Sequence, residues 1–214
     1  GYDKNEIIRK TENISKEDEK NRLYNAVNTV PCIQAKNAWG QKWAYSGAPF
    51  VQRLVANAIV EGIFFSGSFC AIFWLKEKNI MPGLCQSNEL ISRDENMHCE
   101  LASIINKKLL YPMLEKDIKE MISDALEIEK NFINESLRCD KIGMNTVLMS
   151  QYLEYIADVT LVKLGYSKMY HSENPFGFMD DINFQIKTNF FEKKTTTYQR
   201  PQAVTGNTEI SEDF

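Results

Sequence analysis

The sequence predicts an all-α protein built as a bundle of helices. Apolar residues recur at intervals of three and four along most of the chain up to about residue 164, and this spacing gives a helix one buried face. Segments that alternate with a period of two are few. With 214 residues, 43% of them hydrophobic and 25% charged, the chain is long enough to form one substantial core.

The first two helices are predicted from capping residues and a tryptophan pattern. Ser15, followed by acidic residues, is a typical N-cap, and the helix it opens should continue to about residue 30. Pro31 suits the first turn of the next helix. That second helix carries Ala35, Trp39 and Trp43 at intervals of four, which predicts that these three side chains form its buried face.

A long apolar helix is expected next, over about residues 49–79. Gly62 and Gly67 lie inside it, and they favour a bend or a π-bulge, a feature often found beside ligand sites. The run 54–75 is apolar enough to be compared with a membrane-spanning helix. Glu61 lies within the run, however, and the other predicted helices are amphipathic, so a buried core helix is the favoured interpretation and no membrane partner is expected.

Three further helices complete the predicted bundle, over about residues 82–110, 115–137 and 144–164. The first follows the break at Pro82-Gly83, and Gly165 should end the last. Within the second, the side chains expected to face the core are Ile118, Met121, Ile122, Leu126 and Ile128.

The end of the chain has a different composition. After residue 165 aromatic residues occur without a helical period, which predicts a segment that wraps around the bundle. From residue 195 the chain is mostly polar, as in flexible segments that cannot bury enough apolar surface to fold. We therefore predict a helical domain over 1–194 and a flexible C-terminal tail over 195–214.

Charge and cysteine content restrict the function classes. A formal net charge of -4 shows no basic excess, so nucleic acid is not an expected partner. The five cysteines are an odd number and widely scattered, which favours a reducing, cytoplasmic compartment over a disulfide framework. The first residues are charged and contain no apolar signal region, so secretion is not expected.

Three residues form a candidate metal site. Glu95 and His98 lie three residues apart and would share one helix face, whereas Glu61 lies in the apolar helix, where an isolated carboxylate is costly unless a cation neutralises it. Carboxylates with one imidazole and no thiolate suit iron or manganese better than a structural zinc ion. Asp94, four residues before His98, could accept a hydrogen bond from the imidazole and orient it.

Simpler interpretations of these residues remain open. His98 could be a histidine at the edge of the core whose ring bonds a neighbouring carboxylate. Phe65 and Phe69, four and eight residues after Glu61, have the spacing of ordinary core packing, although the same positions could line a metal pocket. A two-metal bundle needs a second Glu-x-x-His, and His171 cannot supply it because it follows Lys168 in loop-like sequence.

Several sequence blocks resemble the small subunit of eukaryotic class I ribonucleotide reductase, and the resemblance covers about residues 24–214, the C-terminal two thirds of that family's usual length. In order, these blocks are 60–69 (VEGIFFSGSF), 81–84 (MPGL), 87–98 (SNELISRDENMH), 141–145 (KIGMN), 173–176 (ENPF) and 187–193 (KTNFFEK).

The resemblance implies a ferritin-like bundle, here without its N-terminal part, that dimerises with itself or with a sister small subunit. It implies a di-iron centre, with manganese as the alternative, which uses oxygen to generate a tyrosyl radical for the large subunit. By this resemblance Glu61, Glu95 and His98 match metal ligands. Asp94 and Tyr198 match residues of the radical-transfer route.

The resemblance also implies a docking function for the last residues of the chain. In the family, the acidic C-terminal residues bind the large subunit, which carries out the reduction of the nucleotide. The residues that match them are Glu209, Ile210, Glu212, Asp213 and Phe214.

The start of the chain departs from the family pattern. The family's first acidic ligand, its first Glu-x-x-His and its radical tyrosine are not reproduced at residues 1–10, so no radical tyrosine is assigned. Two interpretations follow: a truncated copy of an active subunit, or a degenerate, non-catalytic paralogue that supports an active partner. The presence of Glu61, Glu95 and His98 favours the first. A generic di-iron oxidase is a third interpretation, and it would need neither Tyr198 nor the acidic tail.

Overall fold

The computed structural model describes residues 16–45, 47–137 and 144–180, and within these ranges the chain is helical and forms no strand. Two short π-helical turns, Val60–Phe64 and Ile133–Leu137, follow the ends of α-helices. The α-helices are α1 (Lys16–Tyr24), α2 (Ala26–Thr29), α3 (Pro31–Ala44), α4 (Phe50–Ile59), α5 (Ser66–Glu77), α6 (Pro82–Lys108), α7 (Glu115–Phe132) and α8 (Thr146–Leu164).

The N-terminal helices differ from the prediction in two respects. The expected single helix is divided into α1 and α2 at Asn25, and its apolar residues Leu23 and Val27 are exposed. Pro31 opens α3 as predicted. Ser15, the predicted N-cap, lies outside the described residues.

The buried face of α3 is rotated by one position from the predicted one. Trp39 is buried and Trp43 half-buried, but Ala35 is exposed, and the next residue, Lys36, turns inward instead. The prediction for Ala35 was therefore wrong. The indole of Trp39 fixes the rotation, because its Nε1 donates a hydrogen bond of 2.9 Å to Asp124 Oδ2 on α7.

The long apolar segment forms α4, a π-turn and α5 in succession. The predicted bulge is present, and Gly62 lies in the π-turn Val60–Phe64. A Cβ at Gly62 would lie 3.1 Å from Thr160 Oγ1 and 3.2 Å from Cys99 Sγ, so glycine allows the turn to approach α6 and α8 closely. The helical run Phe50–Glu77 is long and apolar enough to cross a membrane by composition, but half of its most apolar window is buried in the bundle.

The core lies between α4, α5, α7 and α8, with α6 packed across α4, α5 and α8. Helix α7 shows the predicted amphipathic pattern, except that Ile128 is only partly buried against the core. The largest fully buried apolar side chains are Val55, Ile59, Ile63, Phe73, Ile118, Ile122, Leu126, Ile133, Met149, Leu153 and Leu161.

The segment after α8 wraps around the bundle, as predicted, as far as the structure describes it. Gly165 ends α8 with φ of 96°, a left-handed conformation that glycine adopts without a steric penalty. Phe176 then packs on Tyr152 with ring centroids 5.8 Å apart, and Phe178 packs on Trp74 at 5.9 Å. The predicted boundary between the domain 1–194 and the tail 195–214 lies outside the described residues.

Two helical glycines offer a matched test of this packing. A Cβ at Gly67 would collide with Ile133 Cδ1 and lie 2.7 Å from Glu129 Oε1, whereas a Cβ at Gly40 would meet nothing within 4 Å. We expect Gly67→Ala to lower the free energy of unfolding by about 1–2 kcal/mol, because overpacking exceeds the gain in helix propensity. Gly40→Ala should raise it by about 0.5–1 kcal/mol.

Urea unfolding of both variants in the full-length protein measures the difference. Equal stabilities for the two variants would contradict the close contact between α5 and the C-terminal end of α7.

Candidate metal centre

The structure brings Glu61, Glu95 and His98 together at one side of the bundle. One potential ligand atom from each residue lies within 4.8 Å of the others. Glu61 belongs to the π-turn Val60–Phe64, and the other two residues lie on one face of α6 because they are three residues apart. The convergence therefore depends on the contact between the π-turn and α6.

The site is more open than the sequence suggested. Glu61 is half-buried rather than enclosed in apolar surroundings, and the His98 side chain is 54% exposed. The His98 Nδ1 atom lies 2.9 Å from Glu95 Oε2, so the imidazole bonds a neighbouring carboxylate. This contact agrees with the interpretation of His98 as a histidine at the edge of the core, and it also places a ligand nitrogen beside a ligand oxygen.

The electrostatics of the three groups favour a cation. Burial, together with the hydrogen bond and the negative charge of Glu95, raises the pKa of Glu61 to about 7, and His98 opposes the shift. The hydrogen bond to Glu95 raises the pKa of His98. The two neighbouring carboxyl groups repel each other when both are ionised. A divalent cation bound by their oxygens and by the imidazole would offset this repulsion. The three donors fit a hard or borderline divalent metal and leave other coordination positions free.

A cavity of about 370 Å³ adjoins Glu61 and Glu95, and Ser92, Cys99 and Thr160 contribute to its walls. Burial raises the pKa of the Cys99 thiol to about 11, so this sulfur is protonated at neutral pH in the metal-free protein. The four cysteines that the structure describes, Cys32, Cys70, Cys85 and Cys99, are buried, and no disulfide joins any two of them.

The aromatic residues after Glu61 do not both belong to the core. Phe65 is exposed, whereas Phe69 is partly buried against the core. Their ring centroids lie 6.4 Å apart in an edge-on arrangement. Ordinary core packing therefore does not explain Phe65 in the part of the bundle that the structure describes.

Asp94 does not orient His98 as the spacing suggested. Its side chain is 55% exposed, and its Oδ1 lies 3.8 Å from Arg93 Nε, while Glu95 takes the position beside the imidazole. The i,i+4 spacing permits a contact, but the shorter i,i+3 contact of Glu95 prevails. The remaining predicted site residues, Tyr198, Glu209, Ile210, Glu212, Asp213 and Phe214, lie outside the described residues.

One buried ion pair near the site was not predicted from the sequence. Glu129 on α7 is fully buried, and Lys36 Nζ lies 2.7 Å from its Oε2. Burial raises the pKa of Glu129 to about 7 although the charge of Lys36 lowers it. The sequence did indicate that Glu129 would be buried. Position 129 falls three residues after Leu126 and seven after Ile122, on the apolar face of α7.

Known proteins resemble this chain in sequence and in fold. The sequence profile of the family described as "Ribonucleotide reductase, small chain" matches residues 9–175. The chain belongs to this family. The family's small chain from Nicotiana tabacum is 51% identical over 187 residues, which are 87% of this chain and 57% of the relative. The small chain from Trypanosoma brucei brucei is 54% identical over 184 residues, which are 86% of this chain and 55% of the relative.

Solved structures show the same fold. The Rnr4 homodimer from Saccharomyces cerevisiae is similar with a TM-score of 0.69 and 35% identity, over 83% of this chain and 54% of that one. The dimanganese(II)-NrdF of Streptococcus sanguinis is similar in fold alone, with a TM-score of 0.66 and 20% identity over 78% of this chain and 61% of that one. The predicted all-α, ferritin-like bundle is thus confirmed. The chain spans little more than half the length of the curated relatives that it matches.

Proposed function

We propose that this chain is part of the small subunit of a ribonucleoside-diphosphate reductase, which supplies a radical to a large subunit that makes deoxyribonucleotides. The observation that supports this proposal is the convergence of Glu61, Glu95 and His98 in a chain of this family. The presence of all three ligand residues favours an active subunit over a degenerate structural paralogue.

The three residues would hold part of a dimetal centre, with iron as the proposed metal and manganese as the alternative. When bound, this centre would supply the oxidising chemistry that forms a tyrosyl radical with oxygen. The carboxylates of Glu61 and Glu95 would neutralise the cation, and α6 would hold Glu95 and His98 on one face towards it.

The remaining roles concern transfer of the radical and contact with partners. Asp94 and Tyr198 would belong to the radical-transfer route. Residues 209–214, including Glu209 and the terminal Phe214, would dock into the large subunit. The subunit would form a dimer with itself or with a sister small subunit in the cytoplasm, where its thiols would stay reduced.

Metal and radical measurements on the full-length gene product test the proposal. After reconstitution with ferrous iron and oxygen, we expect about two irons per chain, as in two-metal carboxylate bundles, and a tyrosyl signal in the electron paramagnetic resonance spectrum. Together with the large subunit, the protein should form deoxyribonucleotides.

A shortened variant separates a reductase subunit from a generic di-iron oxidase. Deletion of residues 209–214 should preserve the iron and the radical but abolish deoxyribonucleotide formation. Activity that is independent of the tail and of the large subunit would favour the oxidase. A full-length protein without metal or radical would overturn the proposal in favour of the structural paralogue.

A further inference from the structure

We propose that the buried pair of Lys36 and Glu129 is a brace that positions the metal ligand Glu61 by holding the end of the π-turn Val60–Phe64. This inference rests on the proposed function, because it assigns Lys36 and Glu129 as positioning residues for the same metal site. Neither residue is among the three potential ligands.

Lys36 connects three elements through its ammonium group. The Nζ atom donates a hydrogen bond of 2.6 Å to the carbonyl oxygen of Phe64, the last residue of the π-turn. The same atom lies 2.7 Å from Glu129 Oε2 on α7 and 3.9 Å from the centroid of the Phe132 ring. The ammonium group therefore ties α3 and α7 to the backbone of the turn that carries Glu61.

The π-turn needs such contacts because of its hydrogen-bond pattern. Its i→i+5 bonds replace the regular i→i+4 ladder, so carbonyls at its end can take partners outside the helix. Here two consecutive carbonyls accept hydrogen bonds from side chains. Ser66 Oγ donates to the Ile63 oxygen at 2.7 Å, and Lys36 Nζ donates to the Phe64 oxygen. These bonds define where the π-turn ends and α5 begins.

Glu129 lies directly against this junction. A Cβ at Gly67, in the first turn of α5, would lie 2.7 Å from Glu129 Oε1, so the carboxylate touches the helix start. Neither carboxylate oxygen has a hydrogen-bond partner of good geometry among the described residues, but Oε2 lies 2.7 Å from Lys36 Nζ as an ion pair. The carboxylate therefore contacts both the start of α5 and the Lys36 ammonium.

A role in positioning explains why this pair is buried. Desolvation offsets most of the attraction between buried charges, so replacing such a pair by apolar residues is often neutral for stability. Only 16% of the Lys36 side chain and none of the Glu129 side chain is exposed. Stability alone gives little reason for charges at these positions, whereas the hydrogen bond to the Phe64 carbonyl gives the Lys36 ammonium a directional role at the π-turn.

The test compares two lysine variants in the full-length protein. Lys36→Met removes the brace, and Lys130→Met is the matched control, because Lys130 pairs with Glu154 at 2.9 Å one residue further along α7 than Glu129. For Lys36→Met we expect at least a tenfold weaker affinity for Mn²⁺, measured by titration with electron paramagnetic resonance, in line with losses caused by removing groups that orient ligands. Lys130→Met should bind Mn²⁺ as the wild type does.

Hydrogen exchange of the metal-free protein supplies a second measurement. Peptides covering residues 60–69 should exchange faster in Lys36→Met than in the wild type and in Lys130→Met. Lys36→Arg, which keeps the charge and the donor, should restore most of the protection and the affinity. If Lys36→Met does not fold, Glu129→Gln, which preserves shape and removes the charge, should show the same two changes.

The possible results distinguish a failure of the brace hypothesis from a failure of the proposed metal site. Unchanged Mn²⁺ affinity and unchanged exchange at residues 60–69, in Lys36→Met or in its substitute Glu129→Gln, would overturn the brace and leave a purely structural ion pair. A wild-type protein that binds no Mn²⁺ while Lys36→Met still exchanges faster at 60–69 would overturn the metal site but support the hold on the π-turn.

Discussion

Replacing Glu95 with alanine in the full-length protein should abolish metal binding and lower deoxyribonucleotide formation with the large subunit by about 100-fold or more. Glu95 is the central member of the site, because it lies 2.9 Å from His98 Nδ1 and close enough to Glu61 to raise the pKa of that carboxyl group. Removing a residue that only orients a ligand costs about 10- to 100-fold, and loss of a ligand should cost at least as much.

Metal content per chain and the rate of deoxyribonucleotide formation provide the measurements for this prediction. The matched control is Glu120→Ala, which removes a carboxylate that is 68% exposed on α7 and should change neither quantity. If the Glu95→Ala protein kept half of the wild-type metal, the assignment of Glu95 as a ligand would be wrong.

Replacing Asp158 with asparagine should lower the free energy of unfolding by about 3 kcal/mol at pH 7, since bonds to charged acceptors contribute about 1.5–3 kcal/mol each. Asp158 is a fully buried residue of α8, and its Oδ1 accepts backbone N–H bonds from Met169 at 2.7 Å and Tyr170 at 2.9 Å. Asparagine keeps the shape but loses the charge and turns one acceptor into a donor.

The pH dependence of this effect follows from the pKa of Asp158. Burial alone would raise the pKa, but backbone N–H donors from Tyr170, Met169, His171 and Ser172 outweigh burial and lower it below its ordinary value. The carboxylate thus stabilises the fold at pH values above its unfolded pKa of about 3.9. This stabilisation is lost as the pH falls through the lower folded pKa.

Urea unfolding of the full-length protein between pH 8 and pH 3 tests both the size and the sign. The deficit of Asp158→Asn should be constant from pH 8 to about pH 6 and should shrink below about pH 4. Glu127→Gln, at an exposed position of α7, should change stability by less than about 0.5 kcal/mol at any of these pH values. A deficit that grew on acidification would contradict a lowered pKa.

Local signals in the sequence predicted most of the helices and their ends. Pro31 and Pro82 open helices and Gly165 ends one, because a fixed φ or a left-handed conformation acts on the backbone at that residue alone. The bulge at Gly62 was also predictable, because a glycine within a helix weakens the regular helix at that residue. Apolar periodicity likewise predicted the buried face of α7, since the 3.6-residue repeat belongs to the helix itself.

Features that depend on contacts between distant elements were predicted less well. The face of α3 was misjudged at Ala35, because apolar spacing did not reveal that Lys36 would turn inward towards Glu129, 93 positions further along the chain. Asp94 has suitable spacing to bond His98, but the rotamers adopted in the fold give that position to Glu95.

Three properties could be predicted from the sequence: that the protein is a helical bundle, where its helices are interrupted, and that Glu61, Glu95 and His98 are residues of the types found in carboxylate metal sites. These properties depend on backbone preferences and on spacing within single helices. The tertiary structure alone decided that the π-turn and α6 bring the three side chains within 4.8 Å and that Lys36 and Glu129 meet behind the turn. The reason is physical: the positions of side chains from separate helices depend on how the helices pack, and packing is a property of the whole fold.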